Sequence, residues 1–165
     1  SFILPEEWTS LQKKSDNPEI KSLASYSFQI PSNLSDLDDS SKITLEGGEI
    51  SLFKLEDSSF DMGSQIVYVH DPSSRNWVEE TKKPLSVYDN LLLNVYGDGG
   101  YDGNDYSNDN RVYRVMGDDV VVVHYSENAP GGRSSDKSYA VDFGSKIVKS
   151  NEFLEQIVEL LDSVK

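Results

Sequence analysis

The chain contains no cysteine. Disulfides, thiolate zinc sites, iron–sulfur clusters and cysteine nucleophiles are therefore excluded. Histidine is scarce: His70 and His124 are the two in the chain. That leaves no paired-histidine metal motif, and no Gly-x-Ser-x-Gly nucleophile elbow occurs either. No run approaches the roughly 20 apolar residues that a membrane-spanning helix needs. Positive charge is also in short supply, with 15 Lys+Arg against 29 Asp+Glu and a net charge of −14. A surface of that sign repels phosphate backbones and anionic lipid, so nucleic-acid and membrane-surface binding are disfavoured. It suits basic protein partners, cations or plain solubility.

What is present is a chain of 165 residues, 36% of them apolar. That is the usual length of one domain, and it is enough to bury a core without covalent staples. Residues 1–165 therefore read as a single domain. The chain starts at Ser1 with neither a charged n-region nor an apolar h-region. This is the expectation for a chain whose leader has been removed or that has been trimmed.

Periodicity predicts the elements. Pro5-Glu6-Glu7 followed by Lys13-Lys14 complements a helix dipole, so a short helix is expected over 5–14. Tyr26, Phe28 and Ile30 alternate with polar residues as in a half-buried strand. Gly47-Gly48 lies between two alternating runs, which predicts a hairpin turn. Further strands are expected at 65–70, 91–96, 112–115, 120–125 and 139–143, with loop or a helical turn over 71–86 around Trp77. The four consecutive valines from Val120 predict burial on both faces of a strand. Phe153, Leu154, Ile157, Val158, Leu161 and Val164 form one apolar helical face behind a Ser150 or Asn151 cap. The expected class is α+β. It has an antiparallel sheet of about seven strands, a short N-terminal helix and a C-terminal amphipathic helix packed on the sheet.

Residues 97–110 hold most of the chemistry that sequence can point to. Asp98, Asp102, Asn104, Asp105, Asn108 and Asp109 offer the hard oxygen donors that calcium prefers, and Gly97, Gly99, Gly100 and Gly103 permit tight wrapping. The spacing is not that of an EF-hand, because Gly100 stands at the third position and the closing Glu is missing. The loop is either a calcium site built on Asp98, Asp102, Asn104, Asp105 and Asp109 or a hydrated surface loop. Its aspartates would repel a phosphate, so the glycines do not make a phosphate cradle. Tyr101 and Tyr106 in the loop, with Trp77 upstream, are candidates to stack on a protein or carbohydrate ligand. His70 beside Asp71 and His124 in the valine-rich strand carry no local hydrolase signature, and a catalytic function is not expected.

Two families are resembled. Tyr26-Ser27-Phe28-Gln29-Ile30-Pro31-Ser32 is similar to the opening strand of PsbP-like domains, and the late strand and closing helix follow that family's order. The resemblance implies an α/β/α sandwich and an extracytoplasmic, often lipoprotein, binding or accessory role. Ile3-Leu4-Pro5-Glu6-Glu7-Trp8 and Asn151-Glu152-Phe153-Leu154 resemble the opening and closing segments of SUKH-type immunity proteins. That resemblance implies an acidic cytoplasmic inhibitor of a basic toxin. The expectation carried forward is a non-catalytic binding module of the cell envelope or exterior. An intracellular inhibitor and a calcium-dependent module are the alternatives.

Overall fold

A computed structural model describes residues 1–6, 8–13, 22–29, 44–57, 66–98, 106–129 and 152–165. Its strands are β1 (Thr9–Lys13), β2 (Ala24–Gln29), β3 (Thr44–Lys54), β4 (Ile66–His70), β5 (Trp77–Thr81), β6 (Leu92–Asp98), β7 (Tyr106–Met116) and β8 (Asp119–Ala129). One helix, α1 (Glu152–Asp162), follows, and short 3₁₀ turns lie at Leu55–Asp57 and Leu85–Val87. The eight strands form one sheet in the order β1-β2-β3-β8-β7-β6-β4-β5. Every neighbouring pair is antiparallel. An antiparallel sheet followed by a C-terminal helix is compatible with the expected α+β class, with eight strands among the described residues against about seven expected.

The valine run sits where its composition requires. β8 lies inside the sheet between β3 and β7. Val120, Val121, Val122 and Val123 are all buried. Because strand side chains alternate, the two pairs serve different cores. Val121, Val123 and Tyr125 pack with Leu154, Ile157, Leu160 and Leu161 of α1. Val120 and Val122 pack on the other face with Val67, Leu85, Tyr88, Leu92 and Tyr113. The helical periodicity holds: Leu154, Ile157 and Leu161 point into the core, and Glu155 and Glu159 are exposed.

Three expectations are corrected. The N-terminal segment is not a helix. Thr9–Lys13 is an edge strand that pairs with β2 through Thr9↔Gln29 and Lys13↔Tyr26. The helix signals there are local and worth a few tenths of a kcal/mol each, whereas pairing lets Trp8 bury fully against Phe28 and α1. Gly47-Gly48 is not a turn. β3 runs straight through it, and the register against β8 slips by one residue between Glu46 and Glu49. The glycines make a β-bulge, the other common reason for glycine inside a strand. Residues 71–86 are more ordered than a loop, because β5 pairs along its whole length with β4. Residues 139–143, expected to be a strand, lie outside the described residues.

The chain reverses tightly between β7 and β8. Met116 pairs with Asp119, and Gly117 between them has φ +65°, a left-handed conformation that glycine adopts without strain. The helix C-terminus is held from the sheet. No basic residue lies in its last turn. Instead Arg114 of β7 donates Nη1 to the carbonyl oxygens of Leu161 and of Val164, the latter at 3.2 Å. Among the described residues no helix is long and apolar enough to cross a membrane.

Candidate functional site

The sheet face opposite α1 carries a row of polar side chains. It follows from register. Ser27 pairs with Glu49, Glu49 with His124, His124 with Arg111, and Arg111 with Asn94. Five adjacent strands thus place hydroxyl, carboxylate, imidazole, guanidinium and amide groups side by side. The next row on the same face reads Ser25, Ser51, Val122, Tyr113 and Leu92, so polarity gives way to the apolar core beyond it.

Two local networks hold this strip. Glu49 Oε1 accepts hydrogen bonds from Ser25 Oγ at 2.7 Å and Ser51 Oγ at 3.0 Å, and the two hydroxyls lie 2.9 Å apart. Both serines are buried, and Glu49 is half-buried, so the carboxylate is fixed in direction. On the other side of His124, its ring Nε2 is hydrogen-bonded to Asp109 Oδ1. Arg111 Nη2 stands 3.8 Å from Asp109 Oδ2. The side chains of His124, Asp109 and Arg111 keep 36%, 29% and 30% of their surface. They are therefore within reach of a ligand while their backbones are locked in interior strands.

Burial shapes the floor of the strip. It pushes the Tyr113 phenol up from its ordinary value of 10.0, and the positive charge of Arg111 opposes that rise. The phenol therefore stays protonated at neutral pH. Asn94 is 2% exposed, and its Oδ1 has no hydrogen-bond partner among the described residues. A buried amide oxygen without a donor costs on the order of 1–3 kcal/mol, and the Tyr113 side chain lies within hydrogen-bonding reach of the Asn94 amide.

Chemically the strip can bind. The Ser25 and Ser51 hydroxyls are directed at Glu49, and among the described residues no serine hydroxyl hydrogen-bonds the His124 ring. Among the described residues, the His124–Asp109 pair therefore has no serine hydroxyl hydrogen-bonded to it. Among the described residues no group of three or more His, Asp or Glu is placed to hold a metal ion.

The acidic segment is shorter as a loop than the sequence implied. β6 runs on to Asp98 and β7 begins at Tyr106, with Asp98↔Ser107 and Tyr96↔Asp109 in register. Asp109 is thus a strand residue on the strip. Tyr101, Asp102, Asn104 and Asp105 lie outside the described residues, and Tyr106 is placed only by its backbone at the start of β7. Trp77 is in β5 on the helix side of the sheet, half-buried against the core, with its ring centroid 5.0 Å from that of His70. It stands on the opposite face from His124.

Glu49, Ser51, Asn94 and Arg111 were missed by sequence reasoning. A signal existed for some of them: Asp109, Arg111 and Tyr113 alternate, and Asn94 interrupts an apolar run. Comparison with protein-family models, with curated proteins and with solved structures finds no match to this chain.

Proposed function

We propose that this chain is a non-catalytic binding module that takes a polar protein or carbohydrate ligand on the strip around His124. The observation that carries this reading is the row Ser27–Glu49–His124–Arg111–Asn94, held in register across five strands on one sheet face. Polar side chains in a sheet interior cost stability unless their hydrogen bonds are met. Groups of such different chemistry, fixed on rigid strands, match a ligand with a fixed pattern of donors and acceptors. An extracytoplasmic setting, implied by the PsbP-like resemblance, belongs to the same proposal.

The test is a glycan and peptide array probed with the wild-type chain and with Asp109→Asn/His124→Ala. The expected outcome is a defined set of ligands bound by the wild type and lost by the variant at unchanged fold. Equal binding by both would remove the strip from the reading. Ligand turnover by the wild type alone would replace binding with catalysis.

The net charge of −14 supports a second reading, an inhibitor of a basic partner. Opposite charge accelerates docking. In that case the array hits are cationic peptides, and their association slows steeply with added salt. A calcium-dependent module built on the β6–β7 segment is separated from both by titrating calcium chloride while following the melting temperature.

A further inference from the structure

The helix is too short for the sheet it covers. α1 has 11 residues, or about 16 Å, whereas β3 and β8 have 11 residues each, or about 36 Å. Among the described residues, the two ends of the chain lie over the sheet beyond the end of α1. Ser1 N donates to Lys165 O at 3.0 Å and Lys165 N to Ser1 O at 2.9 Å. Ile3 N donates to Ser163 Oγ at 2.8 Å. This cover does not fill the space beneath it. A cavity of about 330 Å³ remains on the helix side of the sheet.

Its walls are mostly apolar, with Ser51 and Ser1 among the lining, and the apolar side chains come from separate parts of the chain: Phe2, Tyr26, Leu52, Met116, Val121 and Val164. All of these except Val121 are only half-buried, so large apolar side chains of the core are left unfinished at one place. Phe2 and Tyr26 meet edge to face, with centroids 5.6 Å apart and planes at 71°. Charged residues stand at the rim, where Asp119 and Lys165 contribute to the lining. The volume is in the range of small-molecule sites, which are mostly apolar and largely preformed. An aromatic pair in T-shaped contact offers a further ring both an edge and a face. Met116 adds an unbranched, polarizable wall that adapts to ring edges.

We propose that this cavity is a binding site for a small uncharged aromatic molecule. It lies on the opposite face of the sheet from the His124 strip and does not depend on it.

The experiment labels the methionine methyl groups with ¹³C. The chain has two, Met62 and Met116, and Met116 is in the cavity wall. Indole is titrated against the full chain, and decanol is titrated in parallel. The expected result is a saturable shift of the Met116 methyl with indole and little response to decanol. Ala24→Leu and Leu52→Phe both add volume at lining positions. Each is expected to weaken indole binding by about tenfold while the melting curve stays cooperative. Absence of a saturable Met116 shift would overturn the proposal. So would preference for decanol, or unchanged affinity in both folded filling variants.

Discussion

The ring of Phe28 occupies the space where Gly48 would carry a side chain. The two are register partners across β2 and β3, and a Cβ built on Gly48 would lie 1.9 Å from Phe28 Cε2. Trp8 stacks on the same ring, with centroids 4.7 Å apart, and donates Nε1 to Gln156 Oε1 of α1 at 2.7 Å. One glycine thus lets an aromatic ring lie flat on the strand and tie the sheet edge to the helix.

Gly48→Ala is expected to destabilise the chain by about 2 kcal/mol, because the buried ring must leave its position. Urea unfolding checks this, and fluorescence of Trp8 should report the displaced ring. A variant as stable as wild type would show that the ring moves freely.

Arg114→Leu keeps apolar bulk at the position but removes the donors from the carbonyls of Leu161 and Val164. Charged hydrogen bonds at a helix C-terminus contribute about 2 kcal/mol. The loss should appear in global stability and as faster amide exchange in the last turn of α1. Arg114→Lys should recover part of it, since a lysine restores charge but not the forked geometry.

His70 sets a pH dependence. It is 9% exposed at the end of β4. Burial pushes its imidazole below the ordinary 6.5, and Asp162 and Asp71 oppose that only in part. The unfolded chain therefore takes up this proton at higher pH than the folded chain does. Stability from this group is present above 6.5 and is lost as pH falls from there toward the folded-state value. Denaturation at pH 7.5, 6.5 and 5.5 should show the decline, and His70→Gln should flatten it. An equal slope in the variant would assign the decline elsewhere.

The Asp109–His124 pair is half-exposed, so solvent screens it. A double-mutant cycle of Asp109→Asn and His124→Ala should give a coupling of about 0.5 kcal/mol in stability. Ligand affinity should fall far more than stability does. A coupling of several kcal/mol would make the pair structural instead.

The parts legible in the sequence were those governed by neighbours along the chain. The amphipathic face of α1 and the doubly buried valines of β8 follow from periodicity, because burial of one stripe or of two faces leaves its own spacing. Thr9–Lys13 was misread, since its flanking charges obey helix rules while its strand partner Gln29 is distant in sequence. Gly47-Gly48 carried the same ambiguity: a bulge and a turn use the same residue, and only β8 on the far side distinguishes them.

The strip shows the limit most clearly. Sequence determined that Glu49, Asp109, Arg111 and His124 are polar residues in or near strand-like runs, and that the chain carries a strong negative charge. It did not determine that they share a row. Side chains alternate with period two, so a slip of one residue in any pairing would send a strand's polar set to the helix side. Only the tertiary register, fixed by the bulge at Gly47-Gly48 and by the turn at Gly117, brings them to one face.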